Sequence, residues 1–303
     1  MPIRTVSLND WTSEDPTRRA VFVRELGAGL EEHGFIALRD SGVPVELVRS
    51  AYGAASELFA LPTSTKLLCE RPALGRQRGY TPFGTEHAKD HDTADLKEFW
   101  HVGRASSTAL PANVFPAGSA QQPVFDALFS ALEGVATVLL EAVGMYLGLS
   151  DDTFAELCED GNSVLRVIHY PPLPANIPAG AVRAAAHEDI NLMTVLPVST
   201  ASGLEILTRE GDWMPVNTEP DTLIADTGDM MALLTGGRLP ATTHRVVNPT
   251  NPELAAKPRY SLPFFVHPRP EARLTPFDSH LPGPTAQQFL TERLIANGIA
   301  APE

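Results

Sequence analysis

The chain changes rhythm near its middle. In the first half, apolar residues recur at steps of three and four. Thr17 to Glu32 follows that pattern and stops at His33, Gly34 and Phe35, where Gly34 suits a helix C-cap. Phe35 to Asp40, "FIALRD", reads as a short strand. A second helix begins near Pro44, a residue suited to a first turn. Its apolar face is Leu47, Val48, Ala51, Tyr52, Ala55, Leu58 and Phe59, and Pro62 closes it. Pro72 to Asp95 is polar and rich in Gly, Pro and His, which predicts a long loop. A third helix carries Val124, Leu128, Leu132, Val135, Leu139 and Val143 as a buried stripe.

After about Asn162 the period shortens. "VLRVIHY", "INLMTVLPV", "GLEILT", "WMPV", "TLIAD", "MMALLT", "TTHRVV" and "YSLPFFV" are short apolar or alternating runs, separated by Gly, Pro, Asp and Asn. No helix-length segment intervenes, so parallel βαβ crossovers are excluded there. The expected fold is α+β, an antiparallel double sheet of the jelly-roll, cupin-like kind with flanking helices. "TAQQFLTERLIANG", Thr285 to Gly298, predicts a final helix packed back on the body. With no repeat or linker in view, residues 1–303 are expected to form one unit. Within it, 1–160 would be mostly helical, 161–270 the jelly-roll core and 271–303 a C-terminal helical segment.

Composition narrows the partners. The 303 residues are 43% hydrophobic, enough for a sizeable core. There are 37 acidic against 23 basic residues, a net charge of -14, and no basic block, which argues against nucleic-acid and anionic-membrane partners. "MPIRTVSLNDWTSEDP" lacks the apolar region of a signal peptide. The longest apolar stretch, around Gly134 to Leu149, is interrupted by Glu141 and reads as too short to span a bilayer. Cys69 and Cys158 lie in no C-x-x-C, so neither a disulfide scaffold nor a cysteine zinc site is expected. The expectation is a soluble cytoplasmic protein.

Against that background "AAHEDINLMTVLP", Ala185 to Pro197, is anomalous. His187, Glu188 and Asp189 stand at the mouth of an apolar run, where charge is costly unless something compensates it. On a strand, residues i and i+2 share a face, so His187 and Asp189 would converge and Glu188 would point away. His244, in "TTHRVV", supplies a second imidazole from another predicted strand. Two histidines and one carboxylate on one face of an octahedron form the facial triad of non-haem Fe(II) oxygenases. Zinc is the rival metal, although its catalytic sites are usually tetrahedral. In "RYSLPFF", Arg259 and Ser261 share a face and offer a guanidinium fork and a hydroxyl to a carboxylate. Taken alone, a strand arginine more often reaches the surface along its own stem. The succession H-x-D, His, R-x-S on strands of one sheet is what lifts these residues above chance.

Together these motifs resemble the isopenicillin N synthase-like branch of the Fe(II)/2-oxoglutarate-dependent dioxygenases, over nearly the whole chain. "LEEHGFIALRDSGVP" and "ASELFALPTSTK" are similar to that family's helical N-terminal region. "HYPP", "HEDINLMTVLP", "TGDMMALLTGG", "TTHRVVNP" and "RYSLPFFVHP" are similar to its catalytic barrel. The resemblance implies His187, Asp189 and His244 as Fe(II) ligands. It places the distal carboxylate of the co-substrate 2-oxoglutarate on Arg259 and Ser261, with Tyr170 of "IHYPP" assisting. Ile168 stands where plant members commonly carry asparagine. Arg166, Ile168 and Tyr170 should share a strand face, which leaves Arg166 either a second anion contact or a surface residue. The implied reaction couples oxidative decarboxylation of 2-oxoglutarate by O2 to oxidation, by default hydroxylation, of a small molecule.

Two rivals fit the same residues. An isopenicillin N synthase-like Fe(II) oxidase uses no 2-oxoglutarate, and its R-x-S pair would hold the substrate's carboxylate. That synthase carries a glutamine near its C-terminus, whereas this chain ends "LIANGIAAPE". A non-catalytic cupin-like binding protein has little need of a complete open-faced triad. Three further motifs are read blandly. "DTG", Asp226 to Gly228, is taken as a turn between strands. "EHAKDHD", Glu86 to Asp92, is taken as a solvated loop bordering the site. In "KEFWHVG", Trp100 is taken as packing, while Glu98 and His101 are candidates to reach the substrate pocket.

Overall fold

The structure, a computed structural model, describes residues 2–88, 93–107, 110–174, 176–178 and 180–300. Its elements begin with β1 (Arg4–Ser7), α1 (Leu8–Trp11), α2 (Pro16–His33), β2 (Phe35–Arg39), α3 (Val45–Phe59) and α4 (Thr63–Leu67). Next come β3 (Gly79–Thr81), β4 (Glu98–Gly103), α5 (Gln122–Leu147), α6 (Thr153–Cys158), β5 (Val164–Tyr170), β6 (Ala184–His187) and β7 (Met193–Pro197). The chain continues through β8 (Leu204–Leu207), β9 (Trp213–Pro215), β10 (Leu223–Thr227), α7 (Asp229–Leu234) and β11 (His244–Val246). It closes with α8 (Pro252–Ala255), β12 (Arg259–Ser261), β13 (Phe264–Val266) and α9 (Ala286–Ala296).

Among the described residues the larger sheet runs β1-β2-β10-β7-β13-β5-β4-β3, with β12 also on β5, and the smaller runs β6-β11-β8-β9. Every pairing is antiparallel except β1 with β2, which α1 and α2 connect. One cavity is lined from both sheets, by Ile168 and Tyr170 of the larger and by His187 and His244 of the smaller. This is a double-stranded β-helix with flanking helices.

The helices form for the reasons the sequence suggests. Asp15 caps α2 by accepting from the Thr17 amide, and Gly34 ends it at a φ of 66°, where a side chain would be strained. Thr285 and Gln288 form a reciprocal capping box on α9. Helix α5 buries Phe125, Leu128, Phe129, Leu132, Leu139 and Val143, and Phe129 meets Phe264 of β13 edge-on at 4.9 Å. By length and composition α5 would cross a bilayer, despite Glu141, but more than half of its most apolar window is buried within the protein.

Strand β5 explains how helical layer and site share one element. Its pleat sends Val164, Arg166, Ile168 and Tyr170 to the cavity, while Leu165 and Val167 join the core. Both faces are covered, so apolar residues stand on both sides of the pleat, with Arg166 and His169 as the exceptions.

Four expectations need correction. The N-terminal region also holds β1, β3 and β4 beside the expected β2, all in the larger sheet, so it completes the sheet as well as packing on it. The stretch expected to be loop contains β3 and a short 3-10 turn, Pro72–Leu74. "MMALLT" is the helix α7, not a strand, because Gly228 ends the extended chain and Met230, Met231 and Leu234 bury one helical face. "YSLPFFV" is divided between β12 and β13, with Leu262 and Pro263 at the break. Of "EHAKDHD", residues Lys89 to Asp92 lie outside the described residues, as do the last three of the C-terminal segment.

Candidate active site

His187 is the final residue of β6 and pairs across the sheet with His244, the first residue of β11. Their rings lie 4.4 Å apart between centroids. Asp189 is not on the strand, contrary to the i, i+2 argument. It sits in the turn that follows, where its carbonyl accepts from the Asp229 amide at 2.7 Å. The turn nevertheless delivers the carboxylate: Asp189 Oδ1 lies 4.0 Å from His187 Nε2 and 3.8 Å from His244 Nε2. One ligand atom from each of the three side chains falls within 4.8 Å of the others.

The donor set fits a divalent metal in its protonation as well as its spacing. His187 Nδ1 lies 2.7 Å from the Ala185 carbonyl oxygen, and His244 Nδ1 lies 3.1 Å from that of Thr242. A carbonyl only accepts, so both Nδ1 atoms carry the hydrogen, and both Nε2 lone pairs face Asp189. Burial, then the neighbouring His187, push His244 down to about 4, which keeps it neutral. Asp189 Oδ2 accepts a short hydrogen bond from the Thr194 hydroxyl, which in turn accepts from Asn191 Nδ2 at 2.9 Å. On the other side stands Asp226. Burial, then the charge of Asp189, push its carboxyl well above the ordinary range. "DTG" is therefore no turn: Asp226 and Thr227 end β10 and Gly228 caps α7.

A second polar station lies on the larger sheet. Arg259 is 2% exposed and pairs in register with Tyr170, over whose ring its guanidinium carbon sits at 4.9 Å. Its Nε donates to the Ala201 carbonyl at 3.0 Å, while Nη1 is buried without a hydrogen-bond partner. Ser261 Oγ lies 3.0 Å from Ser199 Oγ, and Arg259, Ser261 and Tyr170 all line the cavity. A buried guanidinium with an idle N–H beside two hydroxyls has the donors that a carboxylate accepts from.

The remaining candidates divide. His101 and Arg166 reach the cavity, and Arg166 is already engaged: Nε donates to His101 Nε2 at 2.7 Å and Nη1 to Glu86 at 3.0 Å. It is not a free anion contact. Glu98 faces away and is buried against Lys66 Nζ and His169 Nδ1, both at 2.8 Å, and Tyr80. Trp100 is fully buried packing, its Nε1 donating to the Val114 carbonyl. Glu86 is buried, not solvated. Sequence reasoning missed Thr194, Asp226, Lys97 and His267, all of which line the cavity. For Thr194, the signal was an isolated polar residue inside an apolar strand.

Comparison with known proteins agrees with this geometry. Residues 3–140 match the family described as non-haem dioxygenase in morphine synthesis N-terminal, and residues 161–268 match the 2OG-Fe(II) oxygenase superfamily. A 2OG-Fe(II) oxygenase family protein from Caulobacter crescentus is 39% identical, covering 96% of this chain and 97% of that one, with a TM-score of 0.82. The 2-oxoglutarate-dependent dioxygenase citB of Monascus ruber is 29% identical over 287 residues, 88% of this chain and 84% of that protein. A full-length Neurospora crassa protein, crystallised in complex with alpha-KG, shares the fold at 22% identity, with a TM-score of 0.86 over 96% of this chain and 95% of that one. Matched in both halves and by a relative of nearly the same extent, the chain belongs to the 2OG-Fe(II) oxygenase superfamily.

Proposed function

We propose that His187, Asp189 and His244 hold Fe(II), and that Arg259 and Ser261, with Tyr170 beneath the guanidinium, grip the distal carboxylate of 2-oxoglutarate. The protein is a non-haem Fe(II) dioxygenase that couples oxidative decarboxylation of 2-oxoglutarate to oxidation of a small molecule. The finer reading, hydroxylation of an unactivated C–H bond, is the default for this centre. When bound, the metal and the oxoacid supply the activation of O2, with succinate and carbon dioxide as co-products.

The chain's own residues bind, orient and exclude. The carbonyls of Ala185 and Thr242 fix both imidazoles with Nε2 free, and the Thr194 hydroxyl turns Asp189 toward them. Arg259 fixes one end of the oxoacid by charge. Ile190, Leu196, Val246 and Phe265 give the cavity apolar walls that keep water from the reacting atoms.

The observation that carries this reading is the idle, buried Nη1 of Arg259 in the same cavity as three convergent metal-ligating atoms. The test is succinate formation from 2-oxoglutarate under air with Fe(II), in wild type and Asp189→Ala. Succinate made only by the Fe(II)-loaded wild type is expected. Equal succinate from Asp189→Ala would remove the triad. Oxygen uptake without succinate would favour an oxidase whose Arg259 holds the substrate.

A further inference from the structure

The cavity has a second guanidinium. Arg166 and Tyr170 stand four residues apart on β5, so the Arg166 end and the Arg259 end are separated by roughly 13 Å of strand. If 2-oxoglutarate occupies the Arg259 end, as proposed above, the Arg166 end faces the other reactant.

Arg166 is built in, not loosely placed. Its guanidinium carbon lies 4.3 Å from the Phe99 ring centroid and 5.1 Å from that of Phe265. His101 Nδ1 lies 2.8 Å from the Arg76 carbonyl, so Nδ1 is the donor there and Nε2 is the acceptor that Arg166 Nε requires. With Nε on His101 and Nη1 on Glu86, the Nη2 group makes no hydrogen bond among the described residues. It is left for a ligand.

The charge of this wall is already balanced. Glu86 pairs with both Arg166, at 3.0 Å, and Lys97, at 2.5 Å, and Lys97 also pairs with Asp95 at 2.8 Å. Two cations meet two carboxylates, with Glu86, Lys97 and Asp95 buried and Arg166 partly so. An incoming carboxylate would lose its hydration and find a guanidinium whose charge is already shared, an unfavourable exchange. A neutral carbonyl oxygen has a far smaller desolvation cost and accepts the idle N–H. His267, whose buried Nδ1 has no hydrogen-bond partner, also lines the cavity, while Phe265, Leu290, Leu294 and Ile299 are apolar.

We propose that Arg166 anchors the substrate, and that the group it takes is a neutral oxygen acceptor, an amide or other carbonyl on a largely apolar small molecule, in preference to a carboxylate. The inference rests on the function proposed above, and its test separates the two. The protein is loaded anaerobically with Fe(II) and 2-oxoglutarate, and loading is read from the visible charge-transfer band. It is then titrated by calorimetry with benzamide against benzoate, and with cyclohexanecarboxamide against cyclohexanecarboxylate. Each amide should bind ten-fold or more tightly than its acid. In Arg166→Lys, which keeps a cation beside Glu86 but removes the fork, amide affinity should fall by about ten-fold or more while the band forms as before. A carboxylate that binds as tightly as its amide, no binding of either amide, or amide binding indifferent to Arg166→Lys would overturn the proposal. Failure of the wild type to form the band would instead overturn the function on which it rests.

Discussion

Replacing Arg259 with methionine should separate stability from ligand binding. The guanidinium is almost fully buried, no carboxylate pairs with it among the described residues, and Nη1 has no partner. A second buried guanidinium, Arg183, stands near enough that, after burial itself, Arg259 is the main cause lowering its pKa. Holding a cation this way costs the free protein several kcal/mol. Methionine removes that cost and the repulsion of Arg183. It loses one hydrogen bond to Ala201, about 1.5–3 kcal/mol, and the guanidinium contact over the Tyr170 ring, about 0.5–2 kcal/mol. The apo variant should therefore be as stable as wild type or more so, with a rise of up to a few degrees in Tm. Binding should move the other way. Loss of a charged hydrogen bond to the oxoacid weakens its affinity by about 10- to 150-fold. At 100 times the wild-type Kd, 2-oxoglutarate stabilises wild type by about 2.7 kcal/mol; a hundred-fold weaker variant gains only about 0.4 kcal/mol. Scanning calorimetry of the metal-loaded proteins with and without 2-oxoglutarate reads both effects. An apo variant that melts well below wild type yet is stabilised equally by 2-oxoglutarate would refute the reasoning.

Three further perturbations probe how the site is held. Thr194→Val removes the hydroxyl that donates to Asp189, and Fe(II) affinity, read by competition with a chelator, should fall about 10- to 100-fold with little change in Tm; unchanged affinity would make that hydrogen bond incidental. Gly228→Ala places a Cβ 2.4 Å from the Asn191 carbonyl oxygen and 2.7 Å from that of Asp189, both backbone, so the turn that aims Asp189 must open. That variant should lose Fe(II) binding and at least about 2 kcal/mol of stability, and a metal-competent, fully stable protein would show the turn is not needed. His244 and His267 are held at about 4, chiefly by burial, below an ordinary value of 6.5. Between those values the unfolded chain binds more protons, so stability rises with pH there. The apo protein should lose a few kcal/mol as pH falls from about 6.5 to about 4, whereas a Tm flat across that window would mean the two rings are not buried neutral.

How much was legible follows from how local each cause is. His187, His244 and Arg259 could be found because a polar residue on a short apolar strand is costly and so stands out. Asp189 was found for a partly wrong reason, since a turn held by the Asp229 amide, not strand parity, aims its carboxylate. The helix α7 was hidden because five consecutive apolar residues carry no period. Strand β4 was hidden because Glu98 and His101 interrupt its apolar run. Their partners, Lys66, His169 and Arg166, come from distant parts of the chain, and only the fold brings them together. Asp226 was misjudged for a similar reason: its burial beside Asp189 is a property of two neighbouring strands and a turn, not of "DTG".

Whether one cavity holds Fe(II) on three side chains and 2-oxoglutarate on Arg259 can be read from anaerobic titration of the Fe(II)-loaded protein with 2-oxoglutarate. A visible charge-transfer band should saturate in wild type, require far more 2-oxoglutarate in Arg259→Met, and be absent in His187→Ala. Iron that binds without any band on saturation with 2-oxoglutarate would contradict that arrangement.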